Sequence, residues 1–88
     1  MNVVYVLLCG DGSLYTGWTN DLAKRVATHQ SGKGAKYTRA HLPVTLVYHE
    51  EYAEKSAAMQ REAQIKAMPR AQKLALIEAN QKTLKSPL

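Results

Sequence analysis

Val3-Val4-Tyr5-Val6-Leu7-Leu8, then Gly10-Asp11-Gly12, then Leu14-Tyr15-Thr16-Gly17: this run decides the fold. Residues 3–9 are almost continuously apolar and rich in β-branched side chains, which reads as a strand covered on both faces. Gly10-Asp11-Gly12 is a turn signal, and the length of the loop sets which residues share a face. A two-residue loop at Asp11-Gly12 puts Tyr15 across from Leu8 and leaves Tyr5 on the opposite face. A three-residue loop with Gly12 in the left-handed region pairs Leu7 with Tyr15 instead. Tyr5 and Tyr15 then lie on one face as diagonal neighbours. The three-residue loop is the expectation.

Working outward, Asn20 is the expected N-cap of a helix, and Asp21 suits its first turn. Leu22 and Val26 form the apolar stripe of that helix, and Arg25 and His29 flank it at helical spacing. Ser31-Gly32 ends the helix. Gly32-Lys33-Gly34-Ala35-Lys36-Tyr37-Thr38-Arg39 reads as a flexible basic loop with one aromatic. Its Gly-Lys pair is not a P-loop. That pattern needs a glycine five residues earlier and Ser or Thr after the lysine, where this chain has Ala27 and Gly34.

A third strand is expected over Val44 to Tyr48, after Pro43, from alternation of Val44, Leu46 and Tyr48 with polar or outward residues. A second helix is expected from Glu54 or Ser56 to about Met68, with Ala58, Met59, Ile65 and Met68 as its stripe. Glu62 falls inside that stripe, where a carboxylate is costly unless paired or bound to a cation. Lys66, one turn on, is its natural partner. Pro69 ends this helix and opens the next, whose buried side is expected to be Leu74 and Ile77. Residues 1–80 read as one domain and 81–88 as a frayed tail.

Size and charge bound the function. The chain has 88 residues and a single cysteine, so one small domain with no internal disulfide is expected. It shows no signal-peptide pattern and no apolar run near the ~20 residues that span a bilayer, so a cytoplasmic protein is expected. Net charge is +5. Residues 19–41 and 63–88 are each net +4, while 42–62 are net −2. Such segments attract polyanions, nucleic acid above all. Cys9 reads as a packing residue, and His41 and His49 lack zinc-ligand spacing to each other or to Cys9.

The order of these pieces is more specific than any one of them. Val3-Val4-Tyr5, Tyr15-Thr16-Gly17, Arg25 on the next helix and Glu62 on a later helix together resemble the GIY-YIG nuclease superfamily, over residues 3 to about 78. The chain is most similar to small single-domain bacterial members, in which a Gly-Lys-Gly-Ala-Lys-Tyr-Thr loop also follows the first helix. The resemblance implies an α+β fold: a three-stranded antiparallel sheet flanked by helices, in the order β-β-α-β-α-α.

It also implies metal-dependent hydrolysis of a nucleic-acid phosphodiester, with DNA expected ahead of RNA and Mg2+ or Mn2+ as cofactor. By the same resemblance Tyr15 handles the proton of the attacking water and Tyr5 assists or orients it. Arg25 stabilises charge on the phosphoryl oxygens, His29 helps to position water or phosphate, and Glu62 holds one divalent cation. Lys33, Lys36, Tyr37 and Arg39 would contact the nucleic-acid backbone and stack on an exposed base. Trp18 stands where several nucleases of the family have a lysine. Elementary chemistry agrees with these roles. One carboxylate plus waters and phosphate oxygens is an ordinary magnesium environment, and arginine suits phosphate. A phenol of pKa ~10 is only about 0.1% ionised at neutral pH, so Arg25 or the metal must favour its phenolate, or His29 must take the proton. The contrasting expectation is a catalytically silent nucleic-acid-binding module on the same fold.

Overall fold

The computed structural model describes residues 1–85, with side chains through Asn80. Its elements are β1 (Asn2–Leu8), β2 (Leu14–Thr19), α1 (Leu22–Gln30), α2 (Lys36–Ala40), β3 (Thr45–Tyr52), α3 (Lys55–Ala67) and α4 (Arg70–Lys85). The backbone of α4 thus runs to Lys85. The side chains of the expected frayed tail, and residues 86–88 altogether, lie outside the described residues.

The three strands form one antiparallel sheet in the order β2-β1-β3. β1 is central and sandwiched, which is why Val3 through Leu7 are all buried and why its sequence shows no alternation. The β1–β2 turn is the three-residue loop. The Cys9 N–H donates to Ser13 O at 2.8 Å, the Gly12 N–H donates to Cys9 O at 2.9 Å, and Gly12 takes φ +86°. Only glycine adopts that backbone without strain. Leu7 therefore pairs with Tyr15, and Tyr5 with Gly17.

The two faces of the sheet carry separate cores. One holds Tyr5, Leu7, Cys9 and Val44 against Leu22 and Val26 of α1. The other holds Val4, Val6 and Tyr48 against Ala58 and Ile65 of α3 and Ile77 of α4.

Several local expectations are corrected. The N-cap of α1 is Asp21, not Asn20: the Asp21 carboxylate accepts from the Lys24 N–H at 3.2 Å. The basic segment is not a flexible loop throughout, since Lys36–Ala40 form a short helix with Thr38 buried in it. β3 starts one residue later and runs four residues further than expected, and its register shifts opposite Val6 and Leu7. Met59 and Leu74 are exposed, at 45% and 42%, and take no part in the buried stripes. Ala58 and Ile65, two helical turns apart, are the buried residues of α3, and Met68 at its C-cap packs partly buried against the same core as expected.

The extension of β3 brings Glu50 against α3. Arg61 grips its carboxylate with both ends of the guanidinium, Nε to Oε1 at 2.8 Å and a terminal nitrogen to Oε2 at 3.0 Å. The Tyr48 and Tyr52 hydroxyls donate to the same carboxylate. Burial pushes the Glu50 carboxyl up, but the hydrogen bonds from Arg61, Tyr48 and Tyr52 outweigh it and hold it below the usual range. Burial, with the bond to Glu50, pushes the Tyr48 phenol up to about 12.

Arg61→Ala is expected to cost about 2 kcal/mol, a fall of roughly 10 °C in Tm by thermal denaturation, because it leaves a half-buried carboxylate without its cation. The stabilisation from Glu50 is present above the ordinary glutamate range and is lost as pH falls through its lowered value. Glu50→Gln should therefore flatten the loss of Tm between pH 5 and pH 3, roughly the carboxylate range.

Candidate active site

β2 is an edge strand, and the candidate side chains gather around it. Tyr5 lies opposite Gly17, and a Cβ on Gly17 would stand 2.6 Å from the Tyr5 hydroxyl oxygen. Only a residue without a side chain lets this phenol cross β2. Tyr5 is 1% exposed, and its hydroxyl lies 2.8 Å from His29 Nε2. His29, in the last turn of α1, is fully buried.

The other ring nitrogen of His29 is held by α2. Nδ1 lies 2.8 Å from Thr38 Oγ1, and the Ala35 N–H points at it from 3.5 Å. The Thr38 hydroxyl is also 3.0 Å from Ala35 O. That hydroxyl has one proton, so it links the two ends of the chain of bonds. Donated to Ala35 O, it leaves Nδ1 protonated and Nε2 accepting from Tyr5. Donated to Nδ1, it leaves an Nε2–H that donates to the Tyr5 oxygen. A Cβ on Gly34 would fall 2.3 Å from His29 Nδ1, so this second glycine is also fixed by the histidine.

Tyr15 shares the face. Its ring centroid is 5.3 Å from that of His29, and it stacks on Tyr37 at 6.2 Å. Tyr37 stacks in turn on His41 at 4.2 Å, so its ring already has aromatic partners. Arg25 is exposed and lines an open cleft of about 400 Å³ with Trp18, Asp21, Lys24 and Thr28 among its neighbours. Glu62 comes from α3 on the opposite face. Its side chain is 19% exposed, and Lys66 Nζ lies 3.2 Å from its carboxylate.

Electrostatics tie the two faces together at Tyr5. Burial pushes its phenol up, the Arg25 guanidinium pulls it back by hydrogen bonding and charge, and Tyr15 and Glu62 push it further up. His29 is pushed down by burial first and by the charge of Arg25 second, which keeps its ring neutral at pH 7. The structure thus brings Tyr5, Tyr15 and His29 into contact, while Arg25 lines its own cleft and Glu62 pairs with Lys66 on the other face. Lys33, Lys36 and Arg39 are exposed on α2 and the loop before it.

Among the described residues no group of three His, Cys, Asp or Glu side chains could enclose a metal. His41 faces Asp11 and His49 faces Glu51, and Cys9 is a buried free thiol whose burial pushes it up. Glu62 is the carboxylate that could take a divalent cation keeping most of its water, in exchange for its present partner Lys66.

Sequence reasoning missed Thr38, Gly17 and Gly34 as the residues that position Tyr5 and His29. It also missed Lys73, which shares a cleft with Tyr15. Gly17 was legible in principle, since the correct register puts it opposite Tyr5. Thr38 gave no periodic signal.

A family model described as the GIY-YIG catalytic domain matches residues 1–75. The chain is 61% identical over 75 residues to a UPF0213 protein of Streptococcus sanguinis, covering 85% of this chain and 86% of that protein. A UPF0213 protein of Bacillus pumilus is likewise 61% identical, over 84% of this chain and 76% of that protein. Among solved structures, the solution NMR structure of a UPF0213 protein from Bacillus halodurans is similar at TM-score 0.59 and 45% identity, over 90% of this chain and 85% of that one. That of a protein from E. faecalis gives 0.61 and 39%, over 91% and 85%.

An NMR pH titration of the His29 ring is expected to give a midpoint below 6.5. An unfolded histidine takes its proton first on acidification, so His29 should lower stability as pH falls through 6.5. A midpoint above that value contradicts the buried neutral ring. Gly17→Ala is expected to cost about 1–3 kcal/mol by denaturant unfolding, because its methyl group occupies the place of the Tyr5 hydroxyl.

Proposed function

Because the chain belongs to the GIY-YIG family, we propose that it is a nuclease hydrolysing phosphodiester bonds of DNA in the cytoplasm, with one Mg2+ or Mn2+. The observation that supports this reading most is the cluster of Tyr5, Tyr15 and neutral His29 beside the edge strand, with the Tyr5 hydroxyl 2.8 Å from His29 Nε2. The described residues contain no helix long and apolar enough to cross a membrane.

Roles follow from exposure and reach. Tyr15 is only half-buried, so its phenol can meet an attacking water, whereas Tyr5 is sealed from solvent and orients the group beside it. His29 is buried, with Nε2 on the Tyr5 hydroxyl and Nδ1 on Thr38, so it would act through Tyr5 by holding that phenol in place. Arg25 is exposed and always charged, so it can grip the equatorial phosphoryl oxygens. Glu62 would hold the cation, which supplies Lewis-acid stabilisation of the leaving oxygen. Lys33, Lys36 and Arg39 would contact backbone phosphates and carry no base preference. Tyr37 is better placed to orient Tyr15 than to stack on a base, given its two ring contacts.

One observation favours the silent module instead. Trp18, at the position of the lysine in several family nucleases, packs on the α3 face beneath Lys55, whose Nζ is 5.3 Å from the ring. It cannot assist a base.

The experiment incubates the protein with single-stranded, duplex and branched DNA, and with RNA, in Mg2+ or in chelator. The expected result is metal-dependent cutting of DNA that falls by at least about 10²-fold in Arg25→Ala and in Glu62→Ala, with Tm unchanged. Salt-sensitive retention on DNA without cutting selects the silent module. Neither binding nor cutting overturns both.

A further inference from the structure

A second cleft, of about 370 Å³, shares Tyr15 with the proposed site and none of its other catalytic groups. It is lined by Leu14, Tyr15, Thr16, Tyr37, Lys66 and Lys73, so four elements from both faces of the sheet meet there. Its volume falls in the range of small-ligand sites, roughly 300–1,000 Å³.

The chemistry of the lining is one-sided. Two ammonium groups, the Tyr15 phenol and the Thr16 hydroxyl can donate hydrogen bonds, the Tyr37 phenol already donates to Ser13 Oγ, and no carboxylate is among the lining groups. Lys73 is half-buried and pairs with no carboxylate of the described residues. Lys66 pairs with Glu62 at 3.2 Å, but an ammonium has three N–H donors and this contact uses one. Thr16 is 4% exposed, and its Oγ1 is buried with no hydrogen-bond partner. A buried hydroxyl without a partner is rare and unfavourable, and an incoming oxygen would satisfy it. Two cations and an orphaned hydroxyl around one opening select an anion. Leu14 and the Tyr15 ring add apolar surface to the cleft.

We propose that this cleft binds the nucleotide unit next to the scissile phosphate, with Lys73 and Lys66 on its phosphate oxygens and Leu14 and the Tyr15 ring against its sugar. The inference rests on the nuclease reading, because Tyr15 is the one proposed catalytic group that lines this cleft. It extends the nucleic-acid contact from the Lys33–Arg39 segment across the β2 edge to α4.

Two measurements test it without catalysis. The first titrates inorganic phosphate into the 15N-labelled full chain. The expected result is amide shifts centred on Tyr15 and Thr16 that vanish in Lys73→Gln, a variant that keeps most of the side-chain stem and leaves the rest of the spectrum unchanged. The second measures binding of a fluorescent single-stranded oligonucleotide in chelator across a salt series. Lys73→Gln and Lys66→Gln should each reduce the slope of log affinity against log salt by about 0.7, one phosphate contact apiece. If the oligonucleotide binds but neither variant changes the slope, or phosphate shifts only the Lys33–Arg39 segment, the cleft assignment is overturned and the nuclease reading stands. If the unmodified protein binds no oligonucleotide, both fall together.

Discussion

Side chains on a strand alternate between faces, so a slip of one residue between β1 and β2 would send Tyr15 to the α3 side of the sheet. The Gly10-Asp11-Gly12 turn prevents that slip by fixing Leu7 opposite Tyr15. The same register sets Gly17 under the ring of Tyr5, the one place on β2 where a side chain would block the phenol. One tight turn therefore settles two things: that both phenols share the α1 face, and that Tyr5 can reach across the edge strand to His29. Every proposed role depends on those two facts.

Polar bonds then hold the helices where the apolar cores alone would not. α2 buries only Thr38, and Thr38 is bonded to the fully buried ring of His29. A buried neutral imidazole is tolerable when both nitrogens have partners, and here both do. The segment after α1 is thus ordered by a proposed site residue, which couples local stability to the site. On the other face the Glu50 carboxylate, gripped by Arg61 and two tyrosines, ties β3 to α3 and so fixes where Glu62 stands.

An edge strand is also where the two faces of a sheet come closest. Arg25 belongs to the helix on one face and Glu62 to a helix on the other, so a site that uses both would have to form around that edge. The position of β2 in the order β2-β1-β3 is what makes a shared site feasible for a domain of this size.

The sequence by itself determined the parts that rest on local rules. Unbroken apolar character marked β1 as central, the Gly-Asp-Gly turn set the register, Pro69 separated α3 from α4, and Glu62 stood out as a carboxylate within an apolar stripe. The order of Tyr5, Tyr15-Thr16-Gly17, Arg25 and Glu62 pointed to the family. Tertiary structure alone decided the rest. Tyr5 and His29 meet across 24 positions, Glu50 and Arg61 across 11, and Thr38 meets His29 across 9 through a segment with no period. Glu50 sat in the polar run His49-Glu50-Glu51, where nothing local separates a gripped carboxylate from two solvated neighbours. Met59 and Leu74 looked buried because their helices could face the sheet at more than one rotation. Which rotation is taken depends on what the sheet presents to them, and helix periodicity carries no information about that surface.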